Sequence, residues 1–389
     1  MGFIAVLYGG MNFYIGLRLW QFLGQRVSAA GLRVFLAIFI LIAVSGLLSV
    51  AGRGFLPDFL RSGLSNGIFW LPAMVYFLFF FVFVDVIRVL IWLFNKYGLL
   101  LPAWSMINNT SFKFCLGISA VLFVVVILIY GIWNAGGIDL LTYDISITKD
   151  ESSQESPRSL NIVLASDFHL GTGEKSMRKG ERIIRMINSL DPDLIFIPGD
   201  IMDDSVYVEQ YNMSAGLGDL ESRYGVYATL GNHDYMNRDF EKLLEILEES
   251  GVKLLRDDLL KVADSFYIIG REDVSSGRQG GGRRAPLTQI LQMQEIDPKL
   301  PIFLLEHQPV DLDEAAKAGV DLLLAGHTHK GQFFPVNLIT RSIFQIDYGY
   351  LATEGLQTIV TSGASTWGPP IRIGSRCEVV QIRLNIITP

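Results

Sequence analysis

The 389-residue chain has little cysteine, little histidine and little charge. Its two cysteines, Cys115 and Cys377, can build neither a disulfide framework nor a cysteine-based zinc cluster, and they leave the redox compartment open. Charged residues make up 18% of the chain, against roughly 25% in ordinary globular domains. Long Lys/Arg runs are missing, which argues against nucleic acid as the main partner, because phosphate contacts need clustered positive charge. The one local group of bases, Arg178, Lys179, Arg182 and Arg185, has the spacing of the solvated face of an amphipathic helix. No basic segment precedes the first apolar stretch, so a cleaved secretory signal is not expected there, and no internal repeat is found.

What the chain does have is apolar residues, 50% of the total, with a mean hydropathy of +0.36 despite a net charge of -7. Position resolves the mismatch. Residues 1–134 carry eight bases (Arg18, Arg26, Arg33, Arg53, Arg61, Arg88, Lys96, Lys113) and two acids (Asp58, Asp85), a net of +6. The remaining 255 residues carry 24 bases, 37 acids and all five histidines, a net of -13. A basic membrane module over 1–134 is joined by a linker, 135–157, to an acidic soluble domain, 158–389.

Four apolar stretches, about 2–24, 33–51, 66–87 and 112–133, predict about four transmembrane helices. Asp85 and Arg88, three residues apart, read as a self-satisfied pair where the third helix meets the headgroups. The loops after the first and third helices carry bases without acids: Arg18, Arg26 and Arg33, then Arg88, Lys96 and Lys113. After the fourth helix come Asp139 and Asp144 before any base. Bases in short loops stay on the cytoplasmic side, so this bias places both termini and the soluble domain outside the cell membrane. The segment from Gly136-Gly137 through an alternating stretch, Tyr143 to Lys149, and the polar run Asp150-Glu151-Ser152-Ser153 to Pro157 reads as a tether or a surface turn.

From Leu160 onward short apolar runs alternate with helix-length amphipathic segments, the pattern of an α/β domain. Strands are predicted at 161–165, 194–197, 226–230, 266–269, 302–305, 322–325 and 358–360, and helices at about 176–190, 238–250 and 311–318. Directly after five strands come Asp167-Phe168-His169, Gly199-Asp200, Gly231-Asn232-His233-Asp234, His307 and Gly326-His327-Thr328-His329. Ligands on open α/β sheets bind beyond the carboxyl ends of the strands, so these five tips can converge. Asp, Asn and neutral His suit Mn, Fe or Zn, and one carboxylate can bridge two ions. A single strand-end histidine is more often a hydrogen-bonded structural residue, but here no histidine lies outside the five tips.

This ordered set resembles the calcineurin-like metallophosphoesterase superfamily, over about residues 158–386. Pro192-Asp193-Leu194 and the run Gly363-Ala364-Ser365-Thr366-Trp367-Gly368-Pro369-Pro370 resemble its bacterial, membrane-tethered branch. The resemblance implies a two-sheet α/β/β/α sandwich. It also implies two divalent metal ions, one held by Asp167, His169 and His329, the other by Asn232, His307 and His327, with Asp200 between them. His233 would be the catalytic histidine and Asp203 its orienting carboxylate, with Asp234 the competing partner. The implied chemistry is metal-assisted hydrolysis of a phosphate ester or pyrophosphate without a phosphoenzyme.

Substrate residues are less legible. Arg271, Arg283 and Arg284 lie in a glycine-rich segment and can be read either as anchors for a second phosphate or as incidental charge on an exposed loop. Phe333, Phe334 and Trp367 can line a groove for an apolar tail or serve as ordinary packing. The leading functional reading is a membrane-anchored phosphoesterase acting on envelope or lipid-linked substrates on the outer face. The alternatives are a cytoplasmic-face nucleotide-glycolipid pyrophosphatase resembling UDP-diacylglucosamine hydrolases, and a phosphoesterase-like scaffold without catalysis.

Overall fold

The computed structural model describes residues 2–24, 27–51, 65–98, 101–149, 157–237, 239–278, 284–353 and 355–388. The bases Arg26, Arg53, Arg61 and Arg283, the acid Asp58 and the polar run 150–156 lie outside these segments. Contacts divide the chain into two units, residues 1–131 and 132–389.

The first unit is helical: α1 (Gly2–Leu23), α2 (Ala29–Ala51), α3 (Trp70–Lys96), α4 (Leu101–Asn108) and α5 (Thr110–Ala135), the last of which runs on into the second unit. Among the described residues three helical segments are long and apolar enough to cross a bilayer: Ala29–Leu48, Asn66–Lys96 and Thr110–Ala135. The expected first span does form a helix, but α1 is not among those three; Asn12 and Arg18 interrupt its apolar sequence. Both polar groups turn inward. Asn12 accepts from Trp70 Nε1 at 2.9 Å, and Arg18 pairs with Asp85. Tyr14 also donates to Asp85, at 2.6 Å, while Arg88 stands 3.5 Å away. Asp85 is therefore not a carboxylate satisfied by Arg88 alone: its nearest partners are on α1, and the group ties α1 to α3.

The second unit is a pair of six-stranded sheets packed face to face. One has the order β1-β12-β2-β3-β4-β5, built from Asp139–Thr148, Glu378–Ile387, Ser159–Leu164, Leu194–Pro198, Val226–Thr229 and Lys253–Leu254. The other has the order β10-β11-β9-β8-β7-β6, built from Gly349–Thr353, Leu356–Val360, Leu322–Ala325, Ile302–Leu305, Phe266–Gly270 and Asp258–Val262. Strand side chains alternate between faces. Ile162 and Leu164 of β2 enter the layer between the sheets with Phe196, Phe266, Phe303 and Leu324. Val163 faces outward onto α6 (Glu174–Asn188) and α7 (Phe240–Glu249), whose Ile183, Ile187, Leu243 and Ile246 cover that sheet. Leu287, Ile290, Leu312 and Ala315 cover the other sheet. The expected α/β/β/α sandwich is the observed one.

The structure departs from the expected linker. Residues 139–148 are not a tether but β1, paired in parallel with β12 from Asp139↔Glu378 to Thr148↔Ile387. Ile145 and Ile147 on its inward face are buried in the inter-sheet core.

Candidate metal centre

The parallel strands β2, β3, β4, β8 and β9 all end at the same edge of the sandwich, and their terminal loops bring the predicted residues together. Ser166-Asp167-Phe168-His169 leaves β2, Gly199-Asp200 leaves β3, Gly231-Asn232-His233 leaves β4, His307 follows β8, and Gly326-His327-Thr328-His329 follows β9. The backbone is strained at this point. Asp167, His169, Asp200, His327 and His329 all adopt positive φ, between 48° and 69°. L-residues adopt this region at a cost of order 1–3 kcal/mol each, and such residues cluster at functional sites. Glycine permits close approach: a Cβ on Gly231 would lie 2.2 Å from Asp200 Oδ1, and Gly199, at φ 82°, would place one 2.5 Å from His307 Nδ1.

Three groups of donor atoms are each close enough to hold an ion: Asp167, His169 and His329; His169, Asp200 and His233; and Asp200, His307 and His327. His329 Nε2 lies 3.2 Å from Asp167 Oδ1 and 3.2 Å from His169 Nε2. Asp200 Oδ2 is 3.7 Å from His169 Nε2 and 3.3 Å from His307 Nε2. His307 Nε2 is 3.1 Å from both Asn232 Oδ1 and His327 Nδ1. Two donors each about 2.1 Å from one ion, at tetrahedral or octahedral angles, sit roughly 3.0–3.4 Å apart, so the spacing fits divalent metal, as does the His and carboxylate chemistry. Asp167, His169, Asp200, His307 and His329 are buried, whereas Asn232, His233 and His327 are partly exposed and form the open side.

Electrostatics separates the histidines. Burial disfavours a charge on His307, but Asp200 outweighs it and holds the pKa up at about 10. Burial likewise opposes a charge on His169, and Asp203 with Asp200 raises it to about 9. His327 and His329 go the other way, burial taking them down to about 4 and about 3. Asp200 and Asp203 are held below the usual carboxylate range: burial opposes their charge, but the facing histidines prevail.

The carboxylate beside His233 is Asp203. Its Oδ1 accepts from His233 Nδ1 at 2.8 Å and from His169 Nδ1 at 2.9 Å. Asp234 is occupied by backbone, accepting from Ile201 and Met202 at 2.9 Å and from Gly231 at 2.8 Å. Arg372 is a residue that the motifs did not reveal. Its fully buried guanidinium donates to His329 Nδ1 and to the His329 carbonyl, both at 2.9 Å, and to the carbonyl of Ser362. Forty-three residues downstream of His329, it carries no sequence signal beyond its place after the 363–370 run.

The arginines read as phosphate anchors are committed elsewhere. Arg271 is buried, paired with Glu314 at 3.2 Å and donating to the Ala285 carbonyl at 2.7 Å. Arg284 pairs with Glu306 at 2.5 Å. Arg283 lies outside the described residues.

A profile of the calcineurin-like phosphoesterase family matches residues 160–331. A zebrafish "Transmembrane protein with metallophosphoesterase domain" is 32% identical over 276 residues, 68% of this chain and 62% of that protein. Its bovine counterpart is 32% identical over 59% of this chain and 54% of that protein. The chain thus spans little more than half the length of these two relatives. A metallophosphoesterase of Aquifex aeolicus is 33% identical over 58% of this chain and 85% of its own length. Motifs, geometry and likeness agree, and the chain belongs to the calcineurin-like phosphoesterase family.

Proposed function

We propose that the chain is a membrane-anchored, dinuclear-metal phosphoesterase that hydrolyses phosphate ester or pyrophosphate bonds of envelope or lipid-linked molecules on the outer face of the cell membrane. The observation that carries this reading is the position of Asp200: one carboxylate oxygen lies 3.3 Å from His307 and 3.7 Å from His169, which belong to two different donor groups. In this reading Asp167, His169 and His329 hold one ion, Asn232, His307 and His327 the other, and Asp200 serves both. Two such ions, when bound, activate water and neutralise phosphoryl charge. His233 stands on the open side, where it can deliver a proton to the leaving oxygen, and Asp203 fixes its ring and tautomer.

The outward orientation draws on charge. Arg88, Lys96 and Lys113 flank the connection between α3 and α5, whereas Asp139 and Asp144 are the first charged residues after α5. This parity does not depend on whether α1 spans. A lipid-linked substrate fits the apolar helices that precede the domain, which concentrate the site at the bilayer.

The test is His233→Ala in the full chain. Hydrolysis of an aryl phosphodiester should fall by about 100-fold or more while bound metal, measured by elemental analysis, stays at the wild-type level. Wild-type turnover in that variant would sink the assignment. Protease access in intact cells decides the sidedness.

A further inference from the structure

We infer that the helix Val336–Ile343 (α8) lies in the bilayer interface and seats the mouth of the metal centre on the membrane, where lipid-borne phosphates reach it. None of its eight residues is buried. Leu338, Ile339 and Ile343 are 55%, 56% and 66% exposed. At 100° per residue these three lie within about 140° of one another, on one face. The helix has no acid and carries Arg341 in its last turn, which suits an anionic lipid surface. Trp367 adds an exposed indole to the patch. It is tied beside the start of the helix by Gln332, whose side chain donates to the Trp367 carbonyl at 2.9 Å and accepts from its N–H at 3.1 Å. Tryptophan is enriched at the headgroup level of membranes.

Two placements select the bilayer as the occupant. The first is continuity with a membrane helix. The last turn of α5, a segment apolar enough to span, ends at Asn134 and Ala135, and Asn134 donates to the carbonyls of Arg372 and Ser375 at 3.0 Å each. The same loop pairs with the segment that starts α8: Phe334 donates to the Ile373 carbonyl at 2.8 Å, and Ser375 Oγ donates to Gln332 at 2.8 Å. The end of α5 and the start of the exposed helix thus share one four-residue loop, Arg372 to Ser375. The second placement is the site itself. At the far end of α8 the Phe344 ring stands 6.0 Å from the His327 ring, and Thr340 donates to Asp347 at 2.7 Å. The carbonyl of Asp347 in turn holds Thr328, between the two histidines, at 2.5 Å. The exposed face therefore borders the open side of the donor cluster.

Seating on the membrane stands independently of the hydrolytic reading, while presentation of a lipid phosphate rests on it. For the first, a nitroxide is placed on Ile339→Cys in a Cys115→Ser background, Cys377 being buried, with Glu248→Cys on α7 as the exposed polar control. The full chain is studied in nanodiscs of phosphatidylcholine and phosphatidylglycerol. The label at 339 should collide preferentially with oxygen and the label at 248 with a water-soluble nickel chelate. Equal behaviour of the two labels overturns the proposal. So does shielding of 339 from both reagents with dipolar broadening between copies, which would make the face a self-association surface.

For the second, the p-nitrophenyl phosphodiester is offered both free in solution and carried on diacylglycerol in the disc. The triple change Leu338→Asp, Ile339→Asp, Ile343→Asp should lower the ratio of lipid-borne to soluble turnover about tenfold, and an unchanged ratio overturns the presentation role. A wild-type chain that hydrolyses neither ester overturns the hydrolytic reading and leaves the collision data to decide the seating alone.

Discussion

Replacing Asp203 with Asn isolates what one buried carboxylate does for two histidines. Asp203 is 6% exposed, and its Oδ1 accepts from His233 at 2.8 Å and from His169 at 2.9 Å. Asparagine keeps an oxygen that can accept from both rings but removes the charge. Hydrogen bonds to an ionised acceptor contribute about 1.5–3 kcal/mol and neutral ones about 0.5–1.5 kcal/mol, so each histidine loses about 1–1.5 kcal/mol. The total, about 2–3 kcal/mol, corresponds to a loss of roughly 30–150-fold in kcat/KM. The loss should divide by route: through His169 as weaker metal affinity, read by titration of the metal-free protein with Mn, and through His233 as lower kcat at saturating metal. Asp234→Asn is the matched control. That side chain serves only backbone N–H groups, so its replacement should lower unfolding stability by about 1–3 kcal/mol, read by denaturant titration, with a smaller effect on kcat. Asp203→Asn within twofold of wild type in both affinity and kcat, or a larger kcat loss in Asp234→Asn, refutes this assignment.

Metal uptake should release protons. His169 and His307, held near pKa 9 and 10, are protonated in the metal-free protein at pH 7 and must be neutral to act as ligands. Because both values are raised above 6.5, their contribution to metal-free stability is full below about pH 6.5 and lost as pH climbs through 9 and 10. Calorimetric titration in buffers of different ionisation enthalpy should register about two protons released at pH 7, declining toward none above pH 10; no release at pH 7 contradicts the charge assignment. Gly231→Ala should cost bound metal, because the new Cβ would fall 2.2 Å from Asp200 Oδ1; full metal content by elemental analysis would show that the loop absorbs the methyl group. Arg284→Met should destabilise the fold by about 3 kcal/mol by stranding Glu306, and less at pH 5 than at pH 8, since burial already lifts that carboxyl to about 7 and protonation relieves it. A thermal shift independent of pH would count against this origin.

Much of the interior of the fold was legible because most interior strands announce themselves; β12, between β1 and β2, is the exception, its apolar run broken by Gln381, Arg383 and Asn385. β2, β3, β4, β7, β8, β9 and β11 each contain the aliphatic or aromatic run that identified them, since strands covered on both faces need apolar side chains throughout. β1, β6 and β10 read otherwise. Their exposed faces break the apolar run, and each depends on a partner for its pairing. For β1 that partner is β12, more than 200 residues away, which is why a segment with only Ile145 and Ile147 buried passed for a tether. Lys179 shows the converse. Its position on an amphipathic helix predicted a solvated base, yet it reaches back to the Ala135 carbonyl at 2.8 Å and Cys377 Sγ at 2.9 Å, while Arg178 and Arg185 stay exposed. Arg271 was misread for a related reason: the glycines that follow it suggested an open loop, but the residue continues directly from β7 and its side chain folds inward to Glu314.

The two carboxylates near His233 show what local geometry adds to the resemblance, which named Asp203 as the orienting carboxylate and Asp234 as its competitor. Asp234 is adjacent in sequence and Asp203 is thirty residues away, so proximity along the chain favours the wrong one. The helical turn Asn232–Tyr235 reverses the preference. Consecutive residues on such a turn point about 100° apart, and the third position faces back toward the cap. Asp234 occupies that position and closes on the Gly231 N–H, which commits it to the backbone. His233, one step earlier, points toward the opposite loop, where Asp203 follows β3 and already holds His169. One carboxylate therefore joins a donor of the candidate metal cluster, His169, to the His233 ring on the open side, a link between two loops that neither motif shows alone.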